Sequence, residues 1–184
     1  MFRPILINGL IAGLIVGVPM FLMGVMLGGH IEGPLGPVIG YALMLIAFTT
    51  VFLAVKRQRD VVQGGVIRFW PAFGLGLAIS AIASIIYVGA WELTLAVTGM
   101  DFAGDYVAGL VEQKKASGVT GAELAAFEAQ MARFVRDYAN PLMRLPMTFT
   151  EIFPVGALAS LITAALLRNA RFMPARRTAD IAQT

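Results

Sequence analysis

The sequence predicts an all-α polytopic membrane protein with four transmembrane helices in an antiparallel bundle and an extracytoplasmic helical hairpin between spans three and four. Three observations predict this class: 58% of the 184 residues are hydrophobic, only 14% are charged, and the mean hydropathy is +0.79. An average soluble domain is about half apolar and about a quarter charged, so a water-soluble domain is excluded. Because the chain contains no cysteine, disulfide frameworks, thiolate metal sites and cysteine nucleophiles are excluded as well.

Four apolar stretches are long enough to cross a bilayer, which requires about 20 residues at a rise of ~1.5 Å per residue. We expect spans at about residues 5–27, 35–55, 69–98 and 145–167, all within a single membrane domain that covers residues 1–184. The first stretch is longer than the apolar region of a signal peptide, about 7–15 residues, and no A-x-A cleavage pattern follows it. We therefore expect it to be a retained span.

The first two connections are short and contain turn residues. Residues 29–37 are rich in Gly and Pro, which favours a tight turn between antiparallel neighbours. In the second connection, Gly64 and Gly65 predict a turn, and Trp70 and Pro71 then open the third span.

The third connection, residues 99–144, is the only region of soluble character. Apolar residues recur at helical spacing on both sides of Gly118, which predicts two short amphipathic helices, the second ending at Asn140 and Pro141. We expect these helices to pack as a cap on the spans, and the alternative is a surface for a partner protein.

The distribution of Lys and Arg predicts the orientation. The side with both termini would carry most of them: Arg3, Lys56, Arg57, Arg59, Arg68, Arg168, Arg171, Arg176 and Arg177. We therefore expect a multi-pass protein of the bacterial inner membrane with both termini in the cytoplasm. Because these basic residues flank span ends without interleaved aromatic residues, their expected partners are anionic lipid headgroups and not nucleic acid.

Small residues at a spacing of four form ridges on three spans. Such ridges allow close approach of helices in lipid, where no hydrophobic force drives helices together. The predicted helix-packing residues are Gly9, Gly13, Gly17, Gly76, Ser80 and Gly156. We expect packing inside one bundle, and the alternative is a homodimer, or contact with a membrane protein partner, through the Gly9–Gly13–Gly17 ridge.

Two glutamates interrupt the later spans and are the main candidate site residues. Glu92 and Glu151 lie at a similar depth, ~9 Å from the outer ends of their spans, in a layer that Tyr41 shares. His30 and Glu32 lie in the loop above this layer, and the five groups together could bind a proton or a cation. The alternative is that both glutamates reach headgroup water and bond to neighbours. Since no metal-ligand spacing is present, the sequence predicts no metal and no cofactor.

A series of short motifs resembles a family of bacterial four-span membrane proteins known as DUF4199, a domain of unknown function. The motifs cover nearly the whole chain: Gly9-Leu-Ile-Ala-Gly13, Gly40-Tyr41 with Met44, Arg59-Asp60, Gly64-Gly65-Val-Ile-Arg-Phe69, Ala83-Ser-Ile-Ile-Tyr87, Trp91, Lys115-Ala-Ser-Gly118, Tyr138-Ala-Asn-Pro141 and Thr148-Phe-Thr-Glu151-Ile-Phe-Pro154-Val-Gly156. The chain departs from the family in an extra Pro34/Pro37 turn and an Arg/Pro-rich tail. The resemblance implies a fold and a bacterial membrane location, and it implies no reaction.

Three functions follow as hypotheses from these features. The first is a small transport or ion-handling unit that uses Glu92 and Glu151, which would require a dimer because four spans are few for alternating access. The second is a non-catalytic scaffold or subunit that binds partner helices through the glycine ridges and the hairpin. The third, an enzyme acting on a lipid or quinone, has only His30 with Glu32 as a candidate pair and lacks G-x-S-x-G, P-loop and H-E-x-x-H motifs. We therefore expect a protein that is not an enzyme.

Overall fold

The computed structural model describes residues 2–27 and 35–174, and this part of the chain is helical with no strand. Its helices are α1 (Phe2–Leu27), α2 (Leu35–Arg57), α3 (Phe69–Thr98), α4 (Phe102–Ala116), α5 (Gly121–Ala139) and α6 (Pro141–Leu167). By length and composition, α1, α2, α3 and α6 are able to cross a membrane. The predicted all-α class with four candidate membrane-spanning helices is thereby confirmed.

The four long helices form a bundle, and the order of neighbours around it is α1, α3, α6 and α2. α3 makes its most extensive contacts with α1 and α6, whereas α2 packs mainly against α1 and α6. The core between them consists of small and β-branched side chains that are fully buried, such as Ala47, Val51, Ile79 and Ile152. The long helices are apolar on their outer faces as well, which is the pattern of helices that have lipid as solvent.

The close contacts give the relative directions of the helices. Gly9 lies against Ile82 and Gly17 against Ala90, so α1 and α3 run in the same direction. Gly76 lies against Ser160, and the side chain of Glu92 reaches Arg144, so α3 and α6 run in opposite directions. The two ends of the bundle are therefore distinct: one carries the connection between α2 and α3, and the other carries α4 and α5.

A turn at Gly64 and Gly65 connects α2 to α3. Both glycines have positive φ, 66° and 95°, which residues with a side chain rarely adopt. Before the turn, residues Gln58–Val62 form one π-helical turn, and the amide of Gly65 then donates to the Arg59 carbonyl over 2.8 Å. The predicted turn is confirmed, and it places Arg59 at the end of the bundle.

The helices α4 and α5 pack against each other, and we call them the α4–α5 pair. Their apolar faces meet, with the rings of Tyr106 and Phe134 6.4 Å apart. At the solvent edge, Lys114 pairs with Glu123 over 3.6 Å. The chain reverses between the two helices at residues 117–120, where Gly118 has a φ of 85°.

Asn140 and Pro141 end α5 and also begin α6. The Asn140 side-chain oxygen accepts a hydrogen bond from the amide of Leu142 over 3.0 Å, which caps the helix, and proline is favoured in the first turn because it needs no amide partner there. The sequence-based span began at residue 145, four residues after this start. Arg144 consequently lies in the first turn of α6 rather than in a connection.

Candidate functional site

Glu92 on α3 forms a bidentate ion pair with Arg144 on α6. The Nε of Arg144 donates to Oε1 of Glu92 over 2.7 Å, and Nη2 donates to Oε2 over 2.5 Å. The remaining Nη1 donates to the Tyr138 carbonyl over 3.2 Å, and the guanidinium lies 5.6 Å from the centre of the Tyr138 ring. Both side chains of the pair are mostly buried, so solvent screens their attraction less than that of a surface pair.

Aromatic side chains extend this contact to the α4–α5 pair. The indole of Trp91 donates to the Tyr138 hydroxyl over 2.6 Å. The ring of Phe102 lies 4.9 Å from Trp91 and 5.9 Å from Tyr138, so it fills the space between α3 and α5. We call Trp91, Glu92, Tyr138 and Arg144 the α3–α6 junction, because these residues join α3, α5 and the start of α6.

The phenol of Tyr138 stays protonated over a wide pH range. Its pKa is raised above the ordinary tyrosine value mainly by burial, and the negative charges of Glu151 and Glu92 act in the same direction. The hydrogen bond from Trp91 and the charge of Arg144 oppose this shift in the pKa but do not cancel it. Tyr138 therefore serves the junction as a neutral hydrogen-bonding group.

The other predicted site residues form no hydrogen bond or ion pair with Glu92 or Arg144 in the described part of the chain. Glu151 lies on the exposed side of α6, and within residues 2–27 and 35–174 no hydrogen bond or ion pair joins it to another side chain. Tyr41 on α2 is 60% exposed. His30 and Glu32 lie outside the described residues. Of the predicted cluster, the structure thus gives a charged partner only to Glu92, and that partner is a cation.

An apolar cavity lies between α1, α2 and α3, beside the α3–α6 junction. Its volume is about 130 Å³, and Met20, Met23, Met44, Tyr87 and Trp91 line most of it. Trp91 belongs both to this cavity and to the α3–α6 junction, so the cavity wall is connected to the ion pair through Trp91 and Tyr138. In the described ranges, no three His, Asp or Glu side chains come together.

The glycine ridge of α1 packs against α3 within the chain. A Cβ added at Gly9 would lie 2.7 Å from the Cβ of Ile82, and one added at Gly13 would lie 2.6 Å from the Cβ of Ile86. At Gly17 the nearest atom would be the Ala90 Cβ, 3.1 Å away. The ridge is therefore occupied by packing inside one bundle, the first of the two predicted alternatives.

The small residues of α3 and α6 make a second close contact, with hydrogen bonds. Ser80 Oγ donates to the Gly156 carbonyl over 3.1 Å and lies 3.2 Å from Ser160 Oγ. A Cβ at Gly76 would lie 2.9 Å from the Ser160 Cβ. In the described part of the chain, every buried side-chain nitrogen or oxygen has a hydrogen-bond partner. The hydroxyl groups between these helices thus serve helix packing.

Sequence reasoning did not identify Arg59, the largest fully buried side chain in the described residues. Its Nη1 donates to the Phe172 carbonyl over 2.9 Å, its Nη2 to the Met173 carbonyl over 2.6 Å, and its Nε to Asp60 over 2.6 Å. Lys56 also binds Asp60, over 2.5 Å. We call this group the Arg59 junction, because it fastens the segment after α6 to the end of α2.

A search of curated proteins finds no match, and a search of solved structures finds none either. Among protein families, the one described as "Protein of unknown function (DUF4199)" matches residues 7–169. The matched range runs from the first half of α1 to just beyond the end of α6, and so includes both junctions up to Asn169. The chain therefore belongs to the DUF4199 family.

Proposed function

We propose that this protein is a non-catalytic membrane subunit, in which a four-helix platform holds the α4–α5 pair for a partner helix. The observation that supports the proposal is the bidentate ion pair between Glu92 and Arg144, which lies beside α4 and α5. A carboxylate that binds two guanidinium nitrogens has its lone pairs and charge committed to the cation, which suits a structural role better than reversible ion binding. Glu92 then positions α4 and α5, together with Tyr138.

An exposed row of alanines on α5 supports a partner that is itself a helix. The large side chains of α5 face α4, whereas Ala122, Ala125, Ala129 and Ala132 are exposed at spacings of three and four residues. Alanine side chains add little thickness to a helix surface, so a second helix can approach closely. The occupant that we propose is a helix of a membrane protein partner or of a second copy of this chain.

The proposal places the α4–α5 pair on the periplasmic side of the bacterial inner membrane and both termini in the cytoplasm. The concentration of Lys and Arg near the α2–α3 connection and the chain termini supports this orientation. Reporter fusions at residue 118 and at the C-terminus test it. We expect periplasmic activity for the first fusion and cytoplasmic activity for the second, and the reverse pattern would reject the orientation.

Photo-crosslinking in intact membranes tests the partner helix. A photoreactive residue in place of Ala129 is expected to give one discrete crosslinked protein species, which the additional substitution Ala125→Leu abolishes because leucine keeps the helices apart. Ala108→Leu, at an exposed alanine of α4, is the matched control and should leave the species unchanged. No crosslinked species, or one that survives Ala125→Leu, would reject the proposal.

Ion or proton handling by Glu151 is the second candidate function. It is supported by the position of this carboxyl on an apolar helix, where no ion pair to it occurs among the described residues. In proteoliposomes, pH-dependent flux should then be lost in Glu151→Gln and kept in Glu92→Gln, provided that the latter stays folded. Absence of flux from the parent protein would reject this candidate.

A further inference from the structure

A cleft between the start of α1 and the end of α2 combines charged and apolar walls. Its volume is about 480 Å³, and it lies at the end of the bundle opposite to the α4–α5 pair. Arg3, Arg57 and Gln58 supply polar groups, while Ile7 and Ile11 continue the wall along α1 toward the middle of the bundle. The lining is thus amphiphilic, with cationic groups at the mouth and apolar side chains deeper along the helix.

The two arginines of the cleft have no carboxylate of the described chain to neutralise them. Asp60 is the only described acidic residue before Glu92, and it already binds Arg59 and Lys56. Within residues 2–27 and 35–174, no ion pair involves Arg3 or Arg57, and both side chains are exposed. An anionic ligand would therefore meet two guanidinium groups, which suit the oxygens of a phosphate.

Apolar surface beside these arginines points to a ligand with a hydrocarbon part. Ile7 and Ile11 are each nearly half exposed, and Val61 and Val62, which also line the cleft, are 74% and 66% exposed. A free phosphate would leave Ile7 and Ile11 uncovered, whereas an acyl chain lying along α1 would cover them. The hydrophobic contribution grows with the apolar area that is covered.

We propose that this cleft is a binding site for an anionic phospholipid of the bilayer. The phosphate lies between Arg3 and Arg57, and an acyl chain runs along Ile7 and Ile11. Basic pockets between membrane helices are known to select anionic headgroups in this way. The site is separate from the proposed partner surface on α5 and does not depend on that proposal.

Native mass spectrometry of the full chain in detergent tests the site with phosphatidylglycerol as the probe. We expect phosphatidylglycerol to bind the parent protein more tightly than phosphatidylcholine of the same chain length, and inorganic phosphate to leave this binding unchanged. Arg3→Gln with Arg57→Gln should weaken phosphatidylglycerol binding by about 30-fold, the expected effect of two surface arginines. Arg68→Gln with Arg168→Gln removes the same charge outside the cleft and should change affinity less than about threefold.

Three results would overturn the site. Equal loss of affinity in the two double variants would mean that phosphatidylglycerol responds only to net charge. Equal affinity for phosphatidylcholine and phosphatidylglycerol would mean that only the apolar walls bind, and competition by inorganic phosphate would identify a free-anion site. Because all four arginines are exposed, circular dichroism and thermal unfolding of the variants should match the parent, and this match verifies that any loss of binding is local.

Discussion

Each end of the bundle holds a largely buried arginine, but the two arginines have different partners. Arg59 is fully buried, and two of its nitrogens donate hydrogen bonds to the backbone carbonyls of Phe172 and Met173. Arg144 is mostly buried, and two of its nitrogens donate to the carboxylate of Glu92. The first arrangement ties the chain after α6 to α2, and the second ties α6 to α3.

The difference teaches which partner each arginine needs. A guanidinium that binds backbone carbonyls is held by dipoles that no side-chain substitution removes. A guanidinium that binds a carboxylate is left uncompensated when that one side chain changes. Arg59 also pairs with Asp60 over 2.6 Å, so the Arg59 junction should be weakened by loss of Asp60 and weakened further by loss of the arginine. The α3–α6 junction, in which the carboxylate accepts two of the three guanidinium hydrogen bonds, should depend on Glu92 as strongly as on Arg144. The predictions below begin with the largest effect.

Loss of Arg59 is expected to cause the largest destabilisation. Arg59→Met removes the donors to two backbone carbonyls and one contact of Asp60, and should lower the free energy of unfolding by about 3 kcal/mol. Denaturant titration in detergent micelles measures the change. Arg68→Met, at an exposed arginine nine residues along the chain, should change the free energy of unfolding by less than about 0.5 kcal/mol. Similar values for the two variants would show that the Arg59 junction contributes little.

Neutralising Glu92 should have the next largest effect. Glu92→Gln leaves Arg144 without its counter-charge, and because the pair is mostly buried we expect a loss of about 2 kcal/mol. Glu151→Gln is the matched control on α6 and should change the free energy of unfolding by less than about 0.5 kcal/mol. The comparison fails if Glu151→Gln is the more damaging of the two.

A methyl group at Gly13 tests how closely α1 and α3 pack in the middle of the bundle, between the two junctions. Its Cβ would lie 2.6 Å from that of Ile86, so Gly13→Ala should cost about 1–3 kcal/mol through overpacking. Gly74→Ala is the control, since nothing lies within 4 Å of a Cβ at Gly74 and alanine favours the helix. Equal thermal unfolding temperatures would contradict the close α1–α3 contact.

The smallest effect concerns the pH dependence of the α3–α6 junction. Because burial raises the pKa of Tyr138 in the folded protein, its contribution is complete below the unfolded pKa of about 10 and is lost as pH rises through the folded pKa. Between pH 9 and 12, the parent should therefore lose stability more steeply than Tyr138→Phe. Parallel pH profiles of the free energy of unfolding would count against a neutral, buried phenol.

Hydropathy was sufficient to predict the four long helices, because lipid imposes the same requirement along every span. The Gly64–Gly65 turn and the break at Gly118 were also predictable, since positive φ is a local property of glycine. The sequence analysis also predicted that Gly9, Gly13 and Gly17 form a packing ridge. It did not identify Ile82, Ile86 and Ala90 as the side chains that fill it, because spacing along one helix says nothing about its neighbour.

Neither arginine junction was predicted, for two different physical reasons. Arg144 was assigned to a connection because Asn140 and Pro141 were interpreted as the end of one helix, although asparagine before proline is equally a helix start. That local signal was available. Arg59 was interpreted as one of the charges that orient the protein, and its burial depends on Phe172, 113 residues later in the chain. No local pattern carries such information.

A double-mutant cycle on Glu92 and Arg144 tests most directly whether charge in this bundle serves to join helices. The free energy of unfolding is measured for the parent, Glu92→Gln, Arg144→Gln and the double variant. We expect a coupling energy of about 1–3 kcal/mol, because the two side chains share both hydrogen bonds and charge. Effects that add within about 0.5 kcal/mol would contradict the account, since they would mean that the two residues act independently.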